Sequence, residues 1–162
     1  MMFDMNQPIT FSLEEASLSK AVEWQQLIQQ LMRETDTFLI ASMRDEKVDV
    51  ESTDYPAITL LLIAEQGGAS SPVGIGSIEH EEIGIAVLKQ YQGAGLGQEL
   101  MNSLLEWAQI NNLPSVWLDV QTDNVPAVHI YQKYGFRNVG SQQRYILPNG
   151  RVTQVQKMIL EL

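Results

Sequence analysis

The stretch Ile85-Ala86-Val87-Leu88-Lys89-Gln90-Tyr91-Gln92-Gly93-Ala94-Gly95-Leu96-Gly97-Gln98 joins two kinds of hydrophobic pattern. Its first residues close an apolar run, 82–88, that reads as a sheet strand. After the glycines, Leu96, Leu100, Leu104, Leu105 and Ala108 recur at helical spacing, and the pattern stops near Asn111-Asn112. Gln92-x-x-Gly95-x-Gly97 is therefore a strand-to-helix turn made of small residues. Such a turn lets main chain approach a ligand, and the first amides of the helix point outward, which suits a phosphate or pyrophosphate. Alone the turn is weak evidence, because ligand-free turns of this kind also carry glycines.

The segments before it predict an antiparallel meander. Residues 57–65 (AITLLLIAE) are too apolar to be half-exposed and read as a buried strand. Residues 67–72 (GGASSP) read as a hairpin connection, with 73–79 as the returning strand and 82–88 as the third. Parallel neighbours would need crossovers of about a dozen residues, which these short links do not provide. Further upstream, residues 9–13 alternate as a first strand. Ser19 is the expected cap of a helix carrying Val22, Leu27, Ile28, Leu31 and Met32. Residues 45–54 are polar and acidic, an expected exposed loop.

Downstream, residues 115–120 read as a strand and 126–134 as a helix. Asn124 and Pro126 stand at the helix start and Gly135 at its end. Residues 136–141 and 152–160 read as final strands joined around Pro148-Asn149-Gly150. The order predicts an α+β fold: one central, mostly antiparallel sheet flanked by helices, in a single domain over residues 1–162.

Composition narrows the partners. The 162 residues are 44% hydrophobic, and ten Lys and Arg against twenty Asp and Glu give a net charge of −10. That field disfavours nucleic acid and anionic membranes and mildly attracts cations, although solubility alone would account for it. Without cysteine there is no disulfide, thiol nucleophile or thiolate metal ligand, and His80 and His129 lack metal-site spacing, so no metal is expected. Both histidines read as surface residues. No leader pattern or membrane-length apolar run is visible, so the expected location is the cytoplasm.

Two nucleotide motifs that share such glycines fail here. A phosphate-binding P-loop needs a Gly-Lys-Ser/Thr ending, which is absent. A dinucleotide fingerprint needs a third glycine where Gln98 stands. Asp119 could imitate its ribose-binding acid, but the strands before the turn form a meander, not a parallel crossover unit.

A third pattern fits better. Ile85-Ala86-Val87-x4-Gln92-x-x-Gly95-x-Gly97 resembles the acyl-CoA motif of the GNAT (GCN5-related N-acetyltransferase) superfamily. Leu118-Asp119-Val120-x3-Asn124-x2-Ala127-x3-Tyr131-x2-Tyr134-Gly135-Phe136 is similar to the motif that follows it in that family. The pair stands in the right order with a helix and a strand between, and the strand–helix–meander order before it extends the likeness over nearly the whole chain.

The resemblance implies an acetyl-CoA-dependent N-acetyltransferase with a splayed acyl-CoA cleft and no metal. It implies that main-chain groups of Ile85, Ala86 and Val87 pair with the pantetheine arm as a further strand would. Amides of Gly93, Ala94, Gly95, Leu96, Gly97 and Gln98 would take the pyrophosphate. Gln92 replaces the family's commoner Arg. Asn124 would contact the cofactor arm, although a helix cap is an equally plain role for it, and Ala127 lies beside it on the same helix. Tyr131, two turns after Asn124, would protonate the leaving thiolate as a general acid. Tyr134 and Phe136 read as core.

The attacking amine needs a base, for which Glu82 is the first candidate, Asp119 the second and Glu79 the third; each could equally be an idle, solvated carboxylate. The acceptor is a primary amine of unread identity: a small amine, a polyamine, or a protein N-terminus or lysine. Its pocket is expected from the first helix, the 45–54 loop, whose Glu46, Asp49, Glu51 and Asp54 could attract a cation, and the 142–151 connection. Tyr145 lines that entrance or packs on the sheet edge. A homodimer is compatible with the likeness. The alternative from another class is a catalytically idle acyl-CoA-binding regulatory module.

Overall fold

The computed structural model describes residues 3–35 and 56–162, so the acidic 45–54 stretch lies outside the described residues. The expected α+β architecture is present. Among the described residues seven strands form one sheet in the order β1-β2-β3-β4-β5-β7-β6. They are β1 (Thr10–Glu15), β2 (Ile58–Gln66), β3 (Ala69–Glu79), β4 (Glu82–Val87), β5 (Ser115–Gln121), β6 (Arg137–Ile146) and β7 (Val152–Glu161). Three α-helices accompany them among the described residues: α1 (Ala21–Glu34), α2 (Leu96–Ile110) and α3 (Val125–Tyr134). Every neighbouring pair is antiparallel except β4 with β5.

The meander is tighter than its sequence suggests. Gly67 and Gly68, with φ of +58° and +82°, alone make the β2–β3 turn. Two left-handed residues match the twist of a two-residue hairpin, so strand pairing resumes at Ala69. Residues 69–72, expected in the connection, belong to β3. The register slips between Leu62, opposite Gly74, and Ile63, opposite Pro72, which leaves Val73 as an extra residue. A bulge is where a strand tolerates a proline, because a ladder donor can be missing there.

Helix α1 starts later than Ser19 implied. A 3₁₀ turn, Leu18–Lys20, precedes it, and Ser19 Oγ shares a hydrogen bond with Ser17 Oγ at 2.8 Å instead of capping the helix. Lys20 stands at the cap position and pairs with Glu14. Leu27 and Leu31, four residues apart, are the buried face, whereas Val22 and Met32 point outward. At the other end Glu34 accepts the Lys89 N–H at 2.9 Å, which ties the end of α1 to the turn after β4.

Helix α2 packs on β3 across a glycine. A Cβ at Gly76 would lie 2.9 Å from Leu104 Cδ1 and 3.2 Å from Leu100 Cδ2. Leu100 and Leu104 are fully buried there, each worth about 1.5–3 kcal/mol of transfer free energy. Met101 and Ala108 continue the face toward Ile78, Val116 and Leu118. Helix α3 begins at Asn124 with Pro126 in its first turn, and Gly135, at φ +98°, ends it. Phe136 is buried as expected. Tyr134 is only half-buried; its hydroxyl donates to Asn102 Oδ1 at 2.8 Å, tying α3 to α2.

Strand β6 runs past residue 141 to Ile146. Between Val139 and Gln143 its register with β7 slips, and buried Gln156 donates from Nε2 to the carbonyls of Val139 and Gly140, at 3.1 and 3.3 Å. Tyr145 packs with Leu147 and Val155, the sheet-edge alternative.

Candidate functional site

The site begins where the sheet comes apart. Strands β4 and β5 share one register pair, Glu82 with Trp117. Glu79 and Glu82 close a two-residue turn on the other side of β4. In the antiparallel alternation Glu82, Gly84 and Ala86 then exchange bonds with β3. Ile83, Ile85 and Val87 turn their N–H and C=O groups toward β5. Past the single pair those groups face a widening gap. Of the expected trio, Ile85 and Val87 present main chain to the gap and Ala86 presents its own to β3.

The gap opens into a cavity of about 700 Å³. Glu79, Glu82, Ile85, Ala86, Val87, Gln92, Gly93, Gly95, Leu96, Gly97, Gln98, Asp119, Asn124, Ala127 and Tyr131 all line it. Of the catalytic and cofactor-binding candidates only Ala94 does not; it faces a smaller hollow, about 240 Å³, behind the turn, beside Tyr91 and Phe11.

The glycine turn is built as its residues require. Gly93 and Gly95 have φ of +87° and +78°, left-handed values that glycine adopts without cost, and Gly95 is the N-cap of α2. Its carbonyl accepts the Glu99 N–H at 3.1 Å, so the amides ahead of Glu99 are the ones left at the helix mouth. Gln92 holds the turn with its side chain: its Nε2 donates to the Val87 carbonyl at 2.9 Å.

On the opposite wall Asn124 occupies the N-cap position of α3, where its main-chain carbonyl accepts the Val128 N–H at 3.1 Å and its side chain makes no capping bond. Tyr131 lies on the same wall, its ring centroid 5.9 Å from that of Phe136. Burial pushes the Tyr131 phenol above the ordinary tyrosine value, so it stays protonated. A protonated phenol in a cavity is a proton donor.

The three carboxylates gather at one end. Glu79 and Glu82 are directly opposed across β3 and β4, and Asp119 lies two residues beyond Trp117 on the same side of β5. Sequence reasoning missed several neighbours: Ser77 of β3 and Gln121, which is only 2% exposed, both brought in by strand register, and Thr35, brought in by the end of α1. Arg151 donates to the Gln121 carboxamide oxygen and, at 2.6 Å, to Asp123. The connection after β6 thus reaches this wall through an arginine, which no local motif signals. His129 is exposed, whereas His80 is half-buried in the β3–β4 turn. No cluster of potential metal ligands occurs among the described residues.

Residues 21–136 match the family model described as "Acetyltransferase (GNAT) family". Among curated proteins, the N-alpha-acetyltransferase RimI of Mycobacterium tuberculosis is 39% identical over 72 residues, which are 44% of each chain. The match therefore spans less than half of that relative's own length. Among solved structures, an acetyltransferase of GNAT family from Streptococcus pneumoniae superposes with a TM-score of 0.75 at 26% identity, covering 94% of this chain and all of that one. The yncA structure from Salmonella typhimurium, with its cofactor acetyl-CoA, shares the fold at a TM-score of 0.72 and 17% identity, covering 94% of each chain.

Proposed function

The chain belongs to the GNAT acetyltransferase family, and from that premise we propose that it moves an acetyl group from acetyl-CoA to a primary amine by direct attack on the thioester. One observation carries the proposal. The strand edge of Ile85 and Val87, the glycine turn and the buried phenol of Tyr131 line a single cavity.

Each part then has one task. Ile85 offers its main-chain donor and acceptor and Val87 its N–H to the pantetheine amides, and the Gly93 to Gln98 turn offers amides to the pyrophosphate. Asn124 offers its carboxamide to the arm. The amine nitrogen attacks the thioester carbonyl carbon, the new C–N bond forms, and the C–S bond breaks. Tyr131 gives its proton to the departing thiolate. The proton lost by the amine goes to Glu82, directly or through water, with Asp119 and Glu79 as the other carboxylates within the cavity. Three acids at this end and a net charge of −10 favour an acceptor that arrives as a cation. A single domain acting in the cytoplasm, where acetyl-CoA is available, completes the proposal.

A turnover assay tests it. The chain is given acetyl-CoA with a panel of small amines, polyamines and peptides, and thiol release is followed. Acetylation of at least one amine is expected. Tight CoA binding with no acetylation of any of them would instead identify an idle acyl-CoA-binding module.

A further inference from the structure

At the one point where β4 meets β5, Trp117 takes hold of the turn that begins β4. Its main-chain N–H donates to the Glu81 carbonyl at 2.9 Å, and its indole Nε1–H donates to the His80 carbonyl at 3.3 Å. Those acceptors are the two central residues of the β3–β4 turn. Both sit in the left-handed region, with φ of +50° and +65°, although neither is glycine. Each costs about 1–2 kcal/mol in that conformation, so the surroundings must hold it there. Trp117 is itself fixed from the far side, where Lys157 Nζ lies 4.3 Å from the ring centroid. The residue next after the turn is Glu82, and past the Glu82–Trp117 pair the strands part to form the cavity.

We propose that Trp117 is a positioning residue for acyl transfer: it pins the His80-Glu81 turn and thereby fixes where β4 leaves β5 and where the Glu82 carboxylate meets the cleft. This rests on the acyltransferase assignment above. The effect is local to the acceptor end, because the glycine turn lies beyond the opposite end of β4. A displaced carboxylate lowers the rate of the chemical step far more than it weakens donor binding.

Trp117→Phe keeps an aromatic ring and removes the indole donor. Its kcat for the best amine is expected to fall about tenfold, with the Kd for CoA changed less than about twofold and the pH limb of kcat/KM displaced. An unchanged kcat, or a loss confined to CoA affinity, overturns the proposal. If Trp117→Phe does not fold, benzothienylalanine at position 117, with sulfur in place of the N–H in the same shape, gives the same comparison. An unmodified chain that turns over no amine sinks the transferase assignment and this role with it. Turnover by the unmodified chain alongside an unaffected variant sinks the role of Trp117 alone.

Discussion

Gln92 Nε2 donates to the main-chain carbonyl of Val87 at 2.9 Å, so the first residue of the glycine turn is fastened to the last residue of the strand before it. The side chain is spent on the shape of the turn and not on a phosphate. Gln92→Leu should therefore lower CoA affinity by about five- to tenfold, the worth of one neutral hydrogen bond. Gln92→Glu should do worse, because a carboxylate would then face a carbonyl. Isothermal titration with CoA measures both, and equal affinities across the three chains would show that the bond is idle.

Gly95 offers open space to a side chain, with nothing within 4 Å of an added Cβ, yet its φ is +78°. Gly95→Leu should cost about 1–2 kcal/mol of stability from the left-handed backbone alone. It should also abolish CoA binding, since the position lines the cavity. A thermal melt and a CoA titration separate the two effects. Retained affinity would remove the turn from the donor site.

Gly76 tests the packing under the site. An added Cβ would press on Leu104 and Leu100 at 2.9 and 3.2 Å, so Gly76→Ala should destabilise the fold by about 1–3 kcal/mol. Urea unfolding with an unchanged m-value is the expected signature.

Tyr131 makes a kinetic and a thermodynamic prediction. Tyr131→Phe should lower kcat by about 10²-fold while CoA binding holds. Its folded-state pKa is raised above 10.0 by burial. The folded chain therefore holds this proton more tightly than the unfolded chain. The associated stability is complete below pH 10 and is lost as pH rises toward the folded value. Burial raises Tyr91 and Tyr134 in the same direction. Alkaline unfolding should accordingly begin above pH 10 and be less steep in Tyr131→Phe, with chemical denaturation at stepped pH as the measurement.

What the sequence revealed was whatever is encoded by neighbours in the chain. The glycine turn, the period change at Leu96 and the Asn124–Tyr131 helix are local patterns, and the structure places them around one cavity. Ser77, Thr35 and Gln121 were illegible because strand register and the end of α1 bring them there. Residues 69–72 resembled a loop by composition, but two left-handed glycines finish the turn before them, and a bulge accommodates Pro72. Ser19 had the chemistry of a cap, and a 3₁₀ turn displaced the helix start past it. The amphipathic pattern found α1 but could not tell that Leu27 and Leu31 face the sheet while Met32 does not.

Strand β6 lies at the end of the sheet with all but one of its residues exposed, a template that a foreign strand could extend into an aggregate. The slip between Val139 and Gln143, braced by Gln156, breaks that template into a short piece on either side. A stray strand can dock on one piece or the other but cannot zip along the whole length. An edge interrupted in this way is a poorer template for a foreign strand than a straight one, because the irregular stretch breaks the row of donors and acceptors such a strand would pair with.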